Sequence, residues 1–249
     1  KQKPLPPITE EEKPFEIPES WEWVRLGETT YNFGQKKPEN TFTYIDVGSI
    51  NNKARTLGNK DNVVLFNDAP SRARKIVKEG SVLYSTVRPY LMNMCIINRG
   101  FEFEPIASTA FAVLNPYKSI CNKYLYYYLQ SNSLIKFVNA QMVGVAYPAI
   151  SEKNLIKAVI PVPPINEQKR IVDIVKKMID LCTVLSNDKN LKNIEVENDQ
   201  SSDNNFEYFA SRGTVQDNNL QVAEDEYSDY LFAARSTKQP VMSEKMKER

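Results

Sequence analysis

The 249-residue sequence contains no histidine, only eight glycines and only three cysteines. Each scarcity removes a class of chemistry. Without histidine neither a Ser-His-Asp nor a Cys-His nucleophile can be assembled, and histidine metal sites are excluded. Cys95, Cys121 and Cys182 are odd in number, far apart and form no C-x-x-C pair, so they are expected to be reduced and structural. The few glycines form neither G-x-x-x-x-G-K-[ST] nor G-x-G-x-x-G, which leaves no phosphate-cradling loop and no dinucleotide turn of known form. No run of 18 apolar residues occurs, and Lys1-Gln2-Lys3-Pro4-Leu5-Pro6-Pro7 lacks the apolar block of a signal peptide. The expected location is cytoplasmic.

Two weaker chemical candidates remain. Glu167-Gln168-Lys169 has the E-x-K spacing of metal-dependent nucleases, but no Asp lies between Asp68 and Asp173, and Glu152 stands alone upstream. Asn115-Pro116-Tyr117 partly matches the Asn-Pro-Pro-aromatic turn that holds a flipped adenine, yet one proline is missing and a turn closing a strand accounts for it. No catalytic residue and no metal ligand is therefore expected.

A chain of this length, 41% hydrophobic and 25% charged, can bury one good core and carry an appendage. Its net charge of +1 conceals an asymmetry. Residues 31–160 hold 16 Lys and Arg against 8 Asp and Glu, whereas residues 186–249 hold 8 against 13. A basic body suits a polyanion, because each neutralised phosphate releases condensed counterions. An incidental surface excess would give the same count.

The fold class expected is α+β, a twisted β-sheet domain followed by a long amphipathic helix and an acidic tail. Residues 1–20 are Pro-rich and acidic, with 1–13 expected to act as a linker. The domain occupies 14–165, the helix 166–185, and the low-order tail 186–249. Strands are expected at 21–26, 42–50, 81–84, 94–97, 109–114 and 156–162, from alternation or from Val, Ile, Phe and Tyr content. Asn122 is placed to cap a helix through Leu129 that breaks at Ser131-Asn132-Ser133, with a turn or two more at 134–138. Asn166 is placed to cap the long helix. There Ile171, Val175, Met178, Leu181 and Leu185 form a narrow stripe that either meets a partner helix or folds back on its own domain.

Six segments, in order, resemble the target-recognition domains of type I restriction-modification specificity subunits. They are the leader from Lys1 to Glu12 with Ile17-Pro18-Glu19-Ser20-Trp21 and Leu26-Gly27-Glu28; Gly80-Ser81-Val82-Leu83-Tyr84-Ser85-Thr86-Val87-Arg88-Pro89; Ala107-Ser108-Thr109-Ala110-Phe111; Tyr124-Leu125-Tyr126-Tyr127-Tyr128-Leu129; Gly144-Val145-Ala146-Tyr147-Pro148-Ala149-Ile150-Ser151; and Ile160-Pro161-Val162-Pro163-Pro164-Ile165-Asn166-Glu167-Gln168-Lys169-Arg170-Ile171-Val172. The resemblance implies a non-catalytic subunit that reads one half of a split target on double-stranded DNA. It would direct adenine methylation by a modification subunit and cleavage by a restriction subunit. S-adenosylmethionine, ATP and Mg are then expected on those partners, and no cofactor on this chain. In the family the helix belongs to an antiparallel pair that spaces two recognition domains and receives the modification subunits. One domain is present here, as in a half-subunit, a truncation or an excerpt, and a second copy of the chain is a further candidate partner.

Base edges are read by Arg, amides and hydroxyls on loops held by a rigid sheet. Three clusters qualify as DNA-binding: Arg72, Arg74 and Lys75; Ser85, Thr86, Arg88 and Tyr90; and Asn139, Gln141 and Tyr147. Lys36, Lys37, Lys53 and Arg55 read as phosphate contacts or as merely exposed. Docking of partners is expected at Glu167, Ile171, Val175, Met178 and Leu181. Two other functions stay open: a small amino-methyltransferase, and a protein-interaction module that uses the tyrosine-rich helix and the stripe.

Overall fold

The computed structural model describes residues 4–198, with side chains as far as 185. The strands are β1 (Glu22–Arg25), β2 (Thr30–Tyr31), β3 (Phe42–Ile45), β4 (Ile50–Asn51), β5 (Thr56–Leu57) and β6 (Val63–Val64), then β7 (Ala73–Ile76), β8 (Val82–Ser85), β9 (Met94–Ile96), β10 (Glu104–Ser108), β11 (Phe111–Pro116) and β12 (Val159–Val162). The helices are α1 (Leu26–Thr29), α2 (Asn122–Tyr128), α3 (Asn132–Gln141), α4 (Glu152–Leu155) and α5 (Ile165–Asn198). Among the described residues no helix is long and apolar enough to cross a membrane.

Two four-stranded sheets carry the body, ordered β6-β3-β10-β7 and β2-β11-β8-β9, and the α+β expectation holds. Pairing is antiparallel except between β3 and β10. The chain passes from the first sheet to the second through Thr109-Ala110, between β10 and β11. Side chains on successive strand residues point to opposite faces. Val82 and Tyr84 of β8 and Ala112 and Leu114 of β11 therefore enter the cluster that holds Tyr124, Leu125, Tyr128 and Ile160. Leu83, Phe111 and Val113 enter a second cluster with Ile45, Cys95, Ile97 and Ala107. The second sheet is thus covered on both faces, which is why its central strands read as continuous apolar runs rather than alternating ones.

The tyrosine-rich helix turns inward. Tyr124 and Tyr128, one turn apart on α2, are buried and donate their hydroxyls to the carbonyls of Pro161 (2.6 Å) and Val159 (2.7 Å) on β12. β12 also pairs with β1, Glu22 opposite Val162 and Arg25 opposite Val159, so the start and the end of the domain lie side by side.

Several expectations need correction. The leader is no free linker from residue 4 onward. The buried guanidinium of Arg25 donates to the Pro6 and Pro7 carbonyls at 3.0 and 2.8 Å, to Lys157 O at 2.7 Å and to both oxygens of Glu12. A buried guanidinium needs acceptors, and carbonyls in a Pro-rich extended segment have no helix or ladder partner of their own.

Asn122 is the first helical residue rather than the cap. The cap position is Cys121, whose N–H donates to Gln168 Oε1 of α5 at 2.8 Å. Asn166 likewise lies within α5, where the Pro164 carbonyl accepts from the amides of Glu167 and Gln168. Residues 134–138 belong to a ten-residue helix capped by Ser131. The strand at 42–50 is broken by a tight turn in which Asp46 Oδ1 accepts from the Ser49 amide. The strand at 156–162 begins only at Val159, because Ser151 opens α4 just before it. Finally, α5 continues past Leu185 to Asn198, since neither Gly nor Pro occurs between 165 and 212 to end it. The remainder of the expected tail, 199–249, lies outside the described residues.

Candidate functional site

Strand register gathers distant segments at one end of the body. Ser108 at the end of β10 lies opposite Ala73 at the start of β7, and Ser85 at the end of β8 lies opposite Phe111 at the start of β11. Backbone bonds continue the row. The Thr109 amide donates to Arg72 O (2.9 Å), the Thr86 amide and hydroxyl to Ala110 O (2.8 Å each), and the Ile150 amide to Thr86 O (2.9 Å). The Arg88 amide donates to Pro148 O (2.8 Å), which docks a hairpin closed by reciprocal bonds between Val143 and Ala149.

Of the cations expected in the first cluster, Arg72 is exposed. Arg74 is half-buried, with one Nη donating to the Ala73 carbonyl at 2.7 Å. Lys75 is not available to DNA. Strand alternation turns it to the opposite face from Arg74, where it is buried and paired with Glu152. Ser85 and Thr86 are also withdrawn from the surface. Both are buried, and their hydroxyls donate to the carbonyls of Val87 and Ala110, at 2.8 Å each, to shape the loop after β8.

That loop presents Arg88 and Tyr90. Arg88 has a left-handed backbone (φ 46°), as does Met92 (φ 51°), so the tight turn Pro89–Leu91 is bracketed by strained residues of the kind that accumulate at binding sites. The Arg88 guanidinium lies 4.6 Å from the centre of the exposed Tyr147 ring. Tyr90, half exposed, lines a groove with Asn139 of α3 and with Asn52, Lys53 and Arg55 from the β4–β5 hairpin. Arg55 is held there by the Tyr126 hydroxyl on its carbonyl (3.0 Å) and by its own Nη1 bond to Gln130 Oε1 (2.8 Å). Gln141, at the end of α3, is half-buried.

The structure thus joins Arg72, Arg88, Tyr90, Asn139 and Tyr147 into one region and adds Lys53 and Arg55. Sequence reasoning missed the brace formed by Arg25 and the exposure of Val143 and Val145 beside Tyr147 in the hairpin turn. Gly144, with a φ of 103°, is the one signal that marks that turn.

The residues expected to dock partners divide. Glu167 Oε2 accepts from Trp21 Nε1 at 3.2 Å, and Gln168, fully buried, donates to the carbonyls of Ser119 and Pro163 at 2.9 Å. Ile171 is 5% exposed and belongs with Val172 to the domain core, and Val175 packs against that core. These residues hold the helix to its own domain, so Glu167 and Ile171 are no free docking surface. Met178 is half-buried. Beyond it Leu181 is 58% exposed, with Ile179, Val184 and Leu185 also outside. The stripe changes role because the domain core reaches only the first turns of α5.

The Asn115 amide is engaged at both ends, accepting from Ser81 Oγ at 2.6 Å and donating to Tyr31 O at 2.9 Å. Both bonds tie it into the domain. Burial pushes the Cys95 thiol up to about 12, so Cys95 stays a thiol at neutral pH.

Residues 18–198 match the family described as type I restriction modification DNA specificity domain. The chain is 35% identical over 201 residues to the type I restriction enzyme EcoAI specificity subunit of Escherichia coli, covering 74% of this chain and 33% of that protein. With the EcoEI specificity subunit of the same organism it shares 26% over 199 residues, again 74% and 33% of the two chains. It superposes on the HsdS subunit from Thermoanaerobacter tengcongensis with a TM-score of 0.66 at 28% identity, over 75% of this chain and 49% of that one. The chain therefore spans about a third of the length of these curated relatives and about half of the solved one. The matched stretch takes in β1, both sheets and α5. On that match the chain belongs to the type I restriction-modification DNA specificity domain family.

Proposed function

We propose that this chain is a DNA-reading specificity element that recognises one half of a bipartite duplex target and directs adenine methylation and cleavage by partner subunits, in defence against foreign DNA. The observation that carries this is the convergence of Arg72, Arg88, Tyr90 and Asn139, with Lys53 and Arg55, at one end of a rigid β core. Arg and Asn give the bidentate donors and acceptors that distinguish base pairs in a major groove, while Lys53 and Arg72 suit phosphate. The chain acts without catalysis of its own, in the cytoplasm, with S-adenosylmethionine, ATP and Mg held by the partners. The exposed part of α5 beyond Met178 is where a modification subunit, or a second copy of the chain, covers the apolar edge. A restriction subunit joins that assembly.

The test is binding of a labelled duplex pool by the full chain against unlabelled random competitor, followed by mapping of methylated adenines in a genome that expresses the intact complex. Retention against competitor and a split methylation motif are expected. Methyl transfer by the isolated chain would instead support the enzyme reading, and absence of any duplex binding a protein-interaction module.

A further inference from the structure

We infer that the 143–149 hairpin is a wedge that enters a duplex and unstacks one base step, with Val145 and Tyr147 as the inserted side chains and Arg88 as the cation behind them. The inference rests on the DNA-reading function proposed above and says how one element of that surface acts.

Val143, Val145 and Tyr147 are 76%, 102% and 70% exposed, an apolar and aromatic tip beside the cation Arg88. In this small tip water gains nothing and the domain core gains nothing, so the residues are held out for a partner. They are held firmly. The hairpin is closed by the Val143 amide on Ala149 O (2.9 Å) and the Ala149 amide on Val143 O (3.0 Å), and it is fixed to the body at Arg88 and at Thr86. Gly144 makes the turn possible, because its φ of 103° suits no side chain and an added Cβ would come within 3.0 Å of Tyr147 O. A wedge has to be rigid in this way, since unstacking DNA is uphill and a floppy tip would fold back instead.

Arg88 supplies the complementary charge. Its Nε is buried and has no hydrogen-bond partner among the described residues, and its Nη2 reaches only the Ala146 carbonyl, at 3.5 Å. Stacking on Tyr147 orients the guanidinium and leaves its donors for a base edge at the opened step. A protein partner fits less well. Stable protein interfaces bury roughly 1,200–2,000 Å², and a tip of three side chains is suited to a narrow slot such as an opened base step.

The experiment uses the full chain and a pool of duplexes with random centres. Retained duplexes are treated with permanganate, which oxidises unstacked thymines, and are then sequenced. The same is done with the double variant Val145→Ser/Tyr147→Ala, whose exposed side chains can be changed without touching the core. The native chain should give hypersensitive thymines at one fixed position within the enriched sequences. The variant should retain duplex more weakly, and what it retains should show that reactivity reduced at least about tenfold, because a step left without its wedge stays stacked. Retained duplex with no hypersensitive position, or an unchanged pattern in the variant, would overturn the wedge and leave the DNA-reading function standing. No retention by the native chain would remove that function and the wedge with it.

Discussion

Lys75 on β7 and Glu152 at the start of α4, 77 residues apart in the chain, form an ion pair in which the lysine side chain is 9% exposed and the glutamate 27%. The pair braces the edge of the first sheet against the helix that leads into β12. Removing one partner of a buried pair strands the other, at about 3–5 kcal/mol. Glu152 keeps some contact with water, which places Lys75→Ala near the lower end, about 3 kcal/mol. Denaturant midpoints should show this loss and a partial recovery in Lys75→Ala/Glu152→Ala, while DNA retention per folded molecule stays unchanged.

The leader is fastened by Arg25, and the fastening should loosen in acid. The hydrogen bond from Arg25 is the largest influence on Glu12 and holds its carboxyl below the ordinary 4.5, against a smaller opposing effect of burial. A lowered folded value means that the contact contributes fully above pH 4.5 and is lost as pH falls from there through the folded value. Limited proteolysis of the 4–13 segment should therefore accelerate below that pH. Glu12→Gln should show the faster cleavage at every pH and lose most of the dependence.

The division of α5 can be read from two pairs of substitutions. Ile171→Asp with Val172→Asp puts charges into the domain core and should unfold the body, since an unpaired buried charge is among the few changes that cost several kcal/mol. Ile179→Asp with Leu181→Asp alters exposed positions and should leave the melting temperature of the body nearly unchanged while abolishing self-association or partner assembly. Circular dichroism and sedimentation separate the two results.

Arg72 and Arg88 should differ in how they fail. Arg72→Ala, as loss of a phosphate contact, is expected to weaken all duplexes alike and to reduce the salt slope of log K by about 1. Arg88→Ala should cost about 1–3 kcal/mol on preferred sequences and relax preference at one position. Binding isotherms at several salt concentrations distinguish these outcomes.

Much of the fold was legible in the sequence. β1, β8 and β9 fell where apolar alternation or β-branched runs placed them, and α2 where its apolar spacing did. Helix starts were misread at Asn122 and Asn166, because the groups satisfying those first amides come from Gln168 and from the Pro164 carbonyl. The end of α5 was misread because its polar residues were taken to oppose a helix, yet neither Gly nor Pro interrupts it before Asn198. For the site, the chain positions of Arg72, Arg88, Tyr90 and Asn139 were visible, yet their company depends on strand register. Burial separated them from Lys75, Ser85 and Thr86. A cluster such as Arg72-Ala73-Arg74-Lys75 reads as one basic patch in sequence, and in a strand it is split between two faces.

Sequence-specific reading of duplex DNA by this chain is decided by repeated selection from a random duplex pool. The full chain is incubated with the pool at physiological salt, and the retained molecules are amplified, reselected and sequenced. Enrichment of one short contiguous motif is expected, as for half a bipartite target, with blurring of that motif at a single position in Arg88→Ala. A pool that stays random after selection while binding remains strongly salt-dependent would contradict it, because the basic end of the body would then grip phosphate without reading bases.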